Sequence, residues 1–213
     1  MDEKKLQKPV DSCKLDRHLF LTSNLKIMGK IVSLINITTD GFVDGRYAIT
    51  DADFFEFSHG LLSEAGTVAF GRNTFELFQD RWLMILEKED EPEWRVGMAR
   101  VLNDKHKTVY SSTLKTTTWK NSTILENVEA GHINSYKQEG NRGLLTLGSL
   151  SLVAVLTEMD LIDDYYFCIQ PVIAGEGEHL FAMMNLTKAR PLNYIDSQQL
   201  KSGVHIIHYR RVH

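Results

Sequence analysis

The sequence predicts an α/β fold: a mostly parallel central sheet flanked by helices, with an antiparallel strand pair at the carboxyl end. Three observations predict it. Short apolar segments alternate with helix-spaced ones from Lys30 onward, the pattern of strands joined by crossover helices. Two of the apolar segments end in a glycine, Gly71 or Gly148, that opens directly into a helical pattern. After Met159 the rhythm changes, and two strand-like segments follow without a long helix between them, as in a hairpin-like antiparallel addition.

Residues 1–28 are polar and lack sustained periodicity, so they read as an N-terminal extension ahead of a single folded domain over residues 29–213. Met28 is a candidate physiological start, while Leu19-Phe20-Leu21 is a cluster able to pack onto the body. Residues 31–37 (IVSLINI) form the first buried strand, and 51–65 follow with helical spacing at Phe54, Phe57, Leu61 and Ala65. A short strand at 67–70 passes through Gly71 into a helix over 72–78, and 91–104 reads as a surface helix. Strands are expected at 107–111 and 122–125, and a helix at 133–139. A strand at 144–147 leads through Gly148 and Ser149 into a helix at 150–159. The final strands fall at 165–173 and 204–210.

Composition narrows the function classes. With 24 basic and 28 acidic side chains among 213 residues the net charge is −4, which gives no general attraction to nucleic acid or to an anionic membrane surface. The longest unbroken apolar runs, such as 82–86, are five residues, far short of the roughly 20 residues that cross a bilayer. The two cysteines, Cys13 and Cys168, are too far apart for a CxxC pair or a disulfide framework, which fits a reducing cytoplasm.

The chemistry-bearing feature is the pair of glycine junctions. Where a strand turns straight into a helix, the first backbone N–H groups have no internal partner and the helix dipole is positive, so an anionic phosphate is stabilised there. Arg72 adds a planar cation, and Thr74 and Ser149 add hydroxyls. Glycine at such a turn is also plain geometry and Ser149 a plain N-cap; it is the combination of two junctions that points to a dinucleotide. Neither G-x-G-x-x-G after an early strand nor a P-loop is present, so the site is of another kind.

Seven motifs in order carry a resemblance: Asp40-Gly41-Phe42, Gly71-Arg72-Asn73-Thr74-Phe75-Glu76, Val109-Tyr110-Ser111-Ser112-Thr113-Leu114, Trp119-Lys120-Asn121-Ser122, Gly148-Ser149-Leu150-Ser151-Leu152-Val153, Leu161-Ile162-Asp163-Asp164 and the run from Pro171 to Phe181 (PVIAGEGEHLF). From about Lys30 to Arg211 the chain resembles the dihydrofolate-reductase-like proteins of the RibD C-terminal family, named for the reductase domain of a riboflavin-biosynthesis enzyme. The resemblance implies a dihydrofolate-reductase-like sheet that binds a nicotinamide dinucleotide, usually NADPH, across its strand ends. By position, Gly71, Arg72 and Thr74 would hold one part of the phosphate chain and Gly148 and Ser149 the other. Ser111, Ser112 and Thr113 would lie by the adenosine ribose, and the stretch from Asn36 through Thr38 to Asp40 near the nicotinamide. Relatives often carry a basic residue where Ser112 stands, so NADPH is the expected cofactor with NADH as the alternative; Lys115 and Lys120 are the available compensating cations. Relatives often form homodimers, to which strands 165–173 and 204–210 are candidate contributors.

Hydride transfer to a C=N or carbonyl group also needs a proton. Asp53 is the first candidate donor, placed where folate reductases carry their acid, although Thr50-Asp51-Ala52-Asp53 equally matches a capping box. Asp40, in the turn after the first strand, is the rival, with a hydrogen-bonded turn aspartate as its plain reading. The histidines show no metal-ligand spacing, so no metal is expected. The Leu-Pro-Trp segment of folate reductases and the zinc-deaminase motifs are both missing. The expected function is an NAD(P)H-dependent oxidoreductase acting on a small nitrogen heterocycle, pteridine- or pyrimidine-like. The alternative is a dinucleotide-binding protein without robust catalysis, used in sensing or interaction.

Overall fold

The structure, a computed structural model, describes residues 29–138, 142–182, 184 and 186–212. The N-terminal extension of residues 1–28 and Glu139 at the end of the expected 133–139 helix lie outside the described residues.

Eight strands form the main sheet. In chain order the principal elements are β1 (Ile31–Thr38), the two-residue β2 (Phe42–Val43), α1 (Ala52–Glu64), β3 (Thr67–Gly71), α2 (Arg72–Glu87), α3 (Glu93–Asp104), β4 (His106–Tyr110), β5 (Ser122–Leu125), α4 (Ala130–Ser135), β6 (Leu144–Leu147), α5 (Leu150–Glu158), β7 (Asp164–Gln170), the two-residue β8 (Glu178–His179), β9 (Leu192–Gln199) and β10 (His205–Arg211). The sheet order is β5-β4-β3-β6-β1-β7-β10-β9. The first six of these strands run parallel, while β10 runs antiparallel to both β7 and β9. The expected mostly parallel sheet with an antiparallel C-terminal pair is therefore present: β7 and β10 pair antiparallel as expected, and β9, not expected from the sequence, adds a further antiparallel strand beyond β10. Strand β7 is the boundary between the two parts, parallel to β1 on one edge and antiparallel to β10 on the other. Both β7 and β10 are interior strands with their hydrogen-bonding edges occupied, so the open edge on this side is β9 rather than either strand expected to contribute to a dimer.

Strand β1 shows why the sheet is central: Val32 and Leu34 pack into the core under α1, α2 and α3, while Ile31 and Ile35 pack into the second core with α4 and α5. Side chains alternate across a strand, so a strand buried on both faces reads as a nearly continuous apolar run. On α1, Phe54, Phe55, Phe57, Leu61 and Leu62 are buried. The helix is capped by Asp51, whose carboxylate accepts from Phe54 N at 2.9 Å; the cap thus falls one residue later than the box expected from Thr50 to Asp53, and with Phe54 at the third helical position it is a simple N-cap and not a capping box. Helix α2 runs nine residues beyond the expected 72–78, to Glu87, because Trp82 and Ile85 continue the buried stripe begun by Phe75.

A buried lysine closes the end of α3. Lys107, with no solvent exposure, donates from Nζ to the carbonyls of Leu102 (2.9 Å), Asn103 (3.2 Å) and Lys105 (2.8 Å), and stands 4.6 Å from the Trp119 ring centroid. The C-terminal carbonyls of α3, which have no helical partners, are satisfied in this way. Burial pushes the Lys107 ammonium down to about 8 from its usual 10.5. The unfolded chain then binds more protons than the folded one between those values, so this residue makes stability rise with pH across that window. Urea midpoints are expected to climb from pH 8 to pH 10. Lys107→Met, less stable throughout because three carbonyls lose their donor, is expected to flatten that climb.

Candidate active site

The parallel strands all point their carboxyl ends to one side, the place where open α/β sheets bind ligands. There β3 and β6 are direct neighbours, with Ala69 opposite Thr146, so the two glycine corners that follow them meet. Gly71 ends β3 and serves as N-cap of α2; Ser149 serves as N-cap of α5. A Cβ placed on Gly71 would stand 2.2 Å from Ser149 Oγ, so only glycine lets these backbones approach so closely. The second corner is bent sharply: Gly148 has φ +78° and Ser149 φ +65°, and Thr146 Oγ1 donates to Gly148 O at 2.9 Å. A serine in the left-handed region is a strained residue of the kind that clusters at functional sites.

Neither helix is closed by its own cap. No side-chain capping bond forms at Gly71, and Ser149, placed as an N-cap, makes none either; its hydroxyl lies 3.3 Å from Ser151 Oγ. Two helix starts whose first N–H donors have no side-chain cap thus stand next to one another at the corner.

Both corners open onto a groove of about 810 Å³. Among the expected cofactor residues, Gly71, Arg72, Thr74, Ser111, Ser112 and Ser149 line it. Arg72 is half exposed, 3.7 Å from Glu76. Ser111 Oγ is turned into its own loop, accepting from Thr113 N at 3.2 Å and Leu114 N at 2.9 Å, which leaves Ser112 at the groove wall. Thr113 sits 3.3 Å from Ser111 Oγ and Gly148 shapes the corner, and neither is part of the wall.

Asn36 and Thr38 are placed elsewhere, at the end of β1, and are engaged in holding loops. Asn36 Oδ1 accepts from Gln170 Nε2 at 3.0 Å, and Gln170 Oε1 accepts from Ile49 N at 2.9 Å. Thr38 Oγ1 donates to Asp40 Oδ1 at 2.7 Å and accepts from Phe42 N at 2.9 Å. Asp40 also accepts from Ala174 N at 3.1 Å and Gly175 N at 2.8 Å. The Thr38 bond first, and the Gly175 bond after it, hold its carboxyl down at about 2. An acid of that strength carries no proton near neutral pH, so the geometry makes Asp40 a latch between the loops after β1 and β7. Those loops also pair as β2 and β8, with the Phe42 and His179 ring centroids 4.1 Å apart at a tilt of 32°, and they set Val43 and Glu178 against the groove.

Asp53 is outside the groove wall. It is the second residue of α1, and its carboxylate is engaged by Lys201 Nζ at 3.1 Å. Asp51, not Asp53, performs the capping. The structure therefore brings together the phosphate-type residues and leaves both candidate acids apart from them.

Several groove residues were not singled out from sequence: Tyr110, Glu126, Asn127, Val128, Ser151 and Glu178. Glu126 follows β5 as Ser111 follows β4, and the rule that ligands bind at the carboxyl ends of parallel strands was the available signal. Among the described residues no group of three His, Cys, Asp or Glu side chains is placed to hold a metal, and no helix is long and apolar enough to cross a membrane.

Comparison with known proteins agrees with this architecture. The uncharacterised protein YyaP of Bacillus subtilis (strain 168) is 28% identical over 195 residues, covering 86% of this chain and 95% of that protein. A putative riboflavin biosynthesis protein from Shewanella sp. PV-4 superposes with a TM-score of 0.62 at 18% identity, over 86% of this chain and 99% of its own. A pyrimidine reductase-like protein from Corynebacterium diphtheriae gives 0.56 at 10% identity, over 90% and 96%. The Thermotoga maritima diaminohydroxyphosphoribosylaminopyrimidine deaminase/5-amino-6-(5-phosphoribosylamino)uracil reductase gives 0.58 at 14%, over 86% of this chain and 56% of its own. At these identities the structural likeness speaks for the fold. The model of the RibD C-terminal domain matches residues 30–206, and on that match the chain belongs to the RibD C-terminal domain family.

Proposed function

We propose that the protein is an NAD(P)H-dependent reductase that delivers hydride to a small nitrogen heterocycle of pteridine or pyrimidine type. One observation carries this reading: two uncapped helix N-termini, at Gly71 and Ser149, meet on a single groove. Neighbouring N–H donor sets of that kind suit a pyrophosphate, whose two phosphates each present anionic oxygens. The groove of about 810 Å³ is of a size that holds a large ligand. Two structural relatives, a pyrimidine reductase-like protein and a bifunctional enzyme that includes a uracil reductase, support a pyrimidine-type acceptor.

A bound nicotinamide dinucleotide supplies the hydride. The chain's own residues bind and orient it. Arg72 and the first N–H groups of α2 and α5 hold the phosphates, and Ser112 faces the adenosine ribose. Leu150, Leu152, Val155 and Val43 make the apolar part of the wall and exclude water. The Asp40 latch fixes the loop that presents Val43. Because Asp40 is ionised and Asp53 is held by Lys201 outside the groove, the proton is assigned to an ordered solvent molecule. Asp53→Asn is accordingly expected to leave kcat within about threefold, since solvent replaces no side-chain acid in that case.

The experiment is equilibrium titration with NADPH and NADH, followed by cofactor oxidation against a panel of pterins, pyrimidines and quinones. Arg72→Ala is expected to weaken nucleotide binding by about 1.5 to 3 kcal/mol, the value of a charge-assisted phosphate bond. An unchanged dissociation constant removes Arg72 from the site. Binding without turnover across the panel favours a dinucleotide-binding protein used for sensing, and absence of binding overturns the reading.

A further inference from the structure

The end of the groove to which the dinucleotide reading assigns the adenosine ribose carries a carboxylate, Glu126, where a phosphorylated ribose would call for a cation. Strands β4 and β5 pair in parallel with Tyr110 opposite Leu125, and Ser111 N donates to Leu125 O at 2.8 Å. The next residues, Ser111 and Ser112 on one side and Glu126 on the other, therefore leave the sheet side by side, and all three line the groove. Glu126 is exposed and, among the described residues, has neither a hydrogen-bond nor an ion-pair partner.

The compensating cations are placed otherwise. Lys120 precedes β5, so it lies at the other end of that four-residue strand, itself about 13 Å long, and pairs with Asp104 at 2.8 Å. Lys115 is turned onto the Ser112 carbonyl at 2.7 Å and is not part of the groove wall. Among the described residues Arg72 is the one cation lining the groove, against the two carboxylates Glu126 and Glu178. As the first residue of α2 it stands at the Gly71 corner, where the pyrophosphate belongs.

Resting on the dinucleotide reading above, we propose that Glu126 is a specificity-determining residue. It accepts a hydrogen bond from the adenosine ribose hydroxyls and turns the site toward NADH and away from NADPH, the cofactor that the family resemblance implied. An ionised carboxylate only accepts, and a ribose hydroxyl can donate to it. A 2′-phosphate has no comparable donor and brings one to two further negative charges beside Glu126. The same logic separates the two cofactors in dinucleotide folds of unrelated topology, where an acidic side chain holds the 2′-hydroxyl and an arginine accommodates the phosphate.

The test is the ratio of dissociation constants for NADH and NADPH, measured by calorimetry on the wild-type chain, Glu126→Gln and Lys115→Ala. At about 50 mM salt the wild type is expected to bind NADH about tenfold more tightly, with the advantage shrinking as salt screens the repulsion. Glu126→Gln keeps the shape and removes the charge, so it is expected to tighten NADPH about tenfold and move NADH by less than about threefold. A wild type that prefers NADPH, a ratio unmoved by Glu126→Gln, or a Lys115→Ala variant that weakens NADPH alone each overturns the proposal while leaving the reductase reading in place. Binding of neither nucleotide overturns both.

Discussion

Alanine at position 71 is expected to weaken dinucleotide binding at least about a hundredfold, or about 2.7 kcal/mol, and to destabilise the fold by about 1 to 3 kcal/mol. The backbone itself does not demand glycine there. Gly71 has φ −82°, open to any residue, so the requirement is one of space. The added methyl would stand 2.2 Å from Ser149 Oγ and 3.1 Å from Ser149 Cβ, and one corner must move away from the other. Because Ser149 starts α5, the displacement reaches the N–H donors of both helices. Ser149→Gly removes the clashing hydroxyl and also suits the φ of +65°. The double variant Gly71→Ala/Ser149→Gly is therefore expected to regain stability in urea unfolding but only part of the nucleotide affinity, since the methyl still blocks close approach to the amides. A double variant as unstable as Gly71→Ala alone would mean that the two corners do not touch.

Asp164→Ala is expected to cost about 3 kcal/mol of folding stability, the scale for breaking a buried charged pair, with little effect on nucleotide binding. Asp164 begins β7, at the end of the sheet opposite the groove, and its side chain is only 3% exposed. It accepts from His208 Nε2, Arg210 Nε and Lys30 Nζ, each at 2.8 Å. His208 is itself buried and stacked on Tyr166 at 4.2 Å, so removing the carboxylate takes away the hydrogen-bond partner of its Nε2. Burial alone would raise the Asp164 pKa, but the hydrogen bonds from His208, Lys30 and Arg210 outweigh it and bring the carboxyl well below the usual carboxylate range. A depressed folded-state pKa means that the unfolded chain takes up the proton first. The stabilisation is complete above the ordinary value of 3.8 and is lost as pH falls below it. Urea unfolding should show a gap between wild type and variant that closes as pH falls below the ordinary carboxylate value of 3.8. A gap that grows on acidification would contradict this account of the cluster.

What the sequence made legible were the elements whose signal is local. Strand β1 has an apolar run buried on both faces, α1 has its phenylalanines and leucines at helical spacing, and each glycine corner announces itself by standing between a strand and a helix. Strand β9 escaped because it is an edge: most of its residues are exposed, Tyr194 at 60%, and an unburied strand has no reason to alternate. The candidate acids were legible as residue types but not as roles. The Asp40 carboxylate is fixed by amides at 174 and 175, and that of Asp53 by Lys201, partners more than 130 residues away. Glu126 was missed for a related reason. Its place beside Ser112 follows from the pairing of β4 with β5, which neither segment reveals alone.

The central claim is that the starts of α2 and α5 seat one pyrophosphate-bearing ligand between them. Amide chemical shifts during titration with NADH test it most directly. The backbone N–H signals of Arg72, Asn73 and Thr74 and those of Leu150, Ser151 and Leu152 are expected to move together and to fit a single dissociation constant with one ligand per chain. Movement at one helix start alone, or two different dissociation constants, would contradict it.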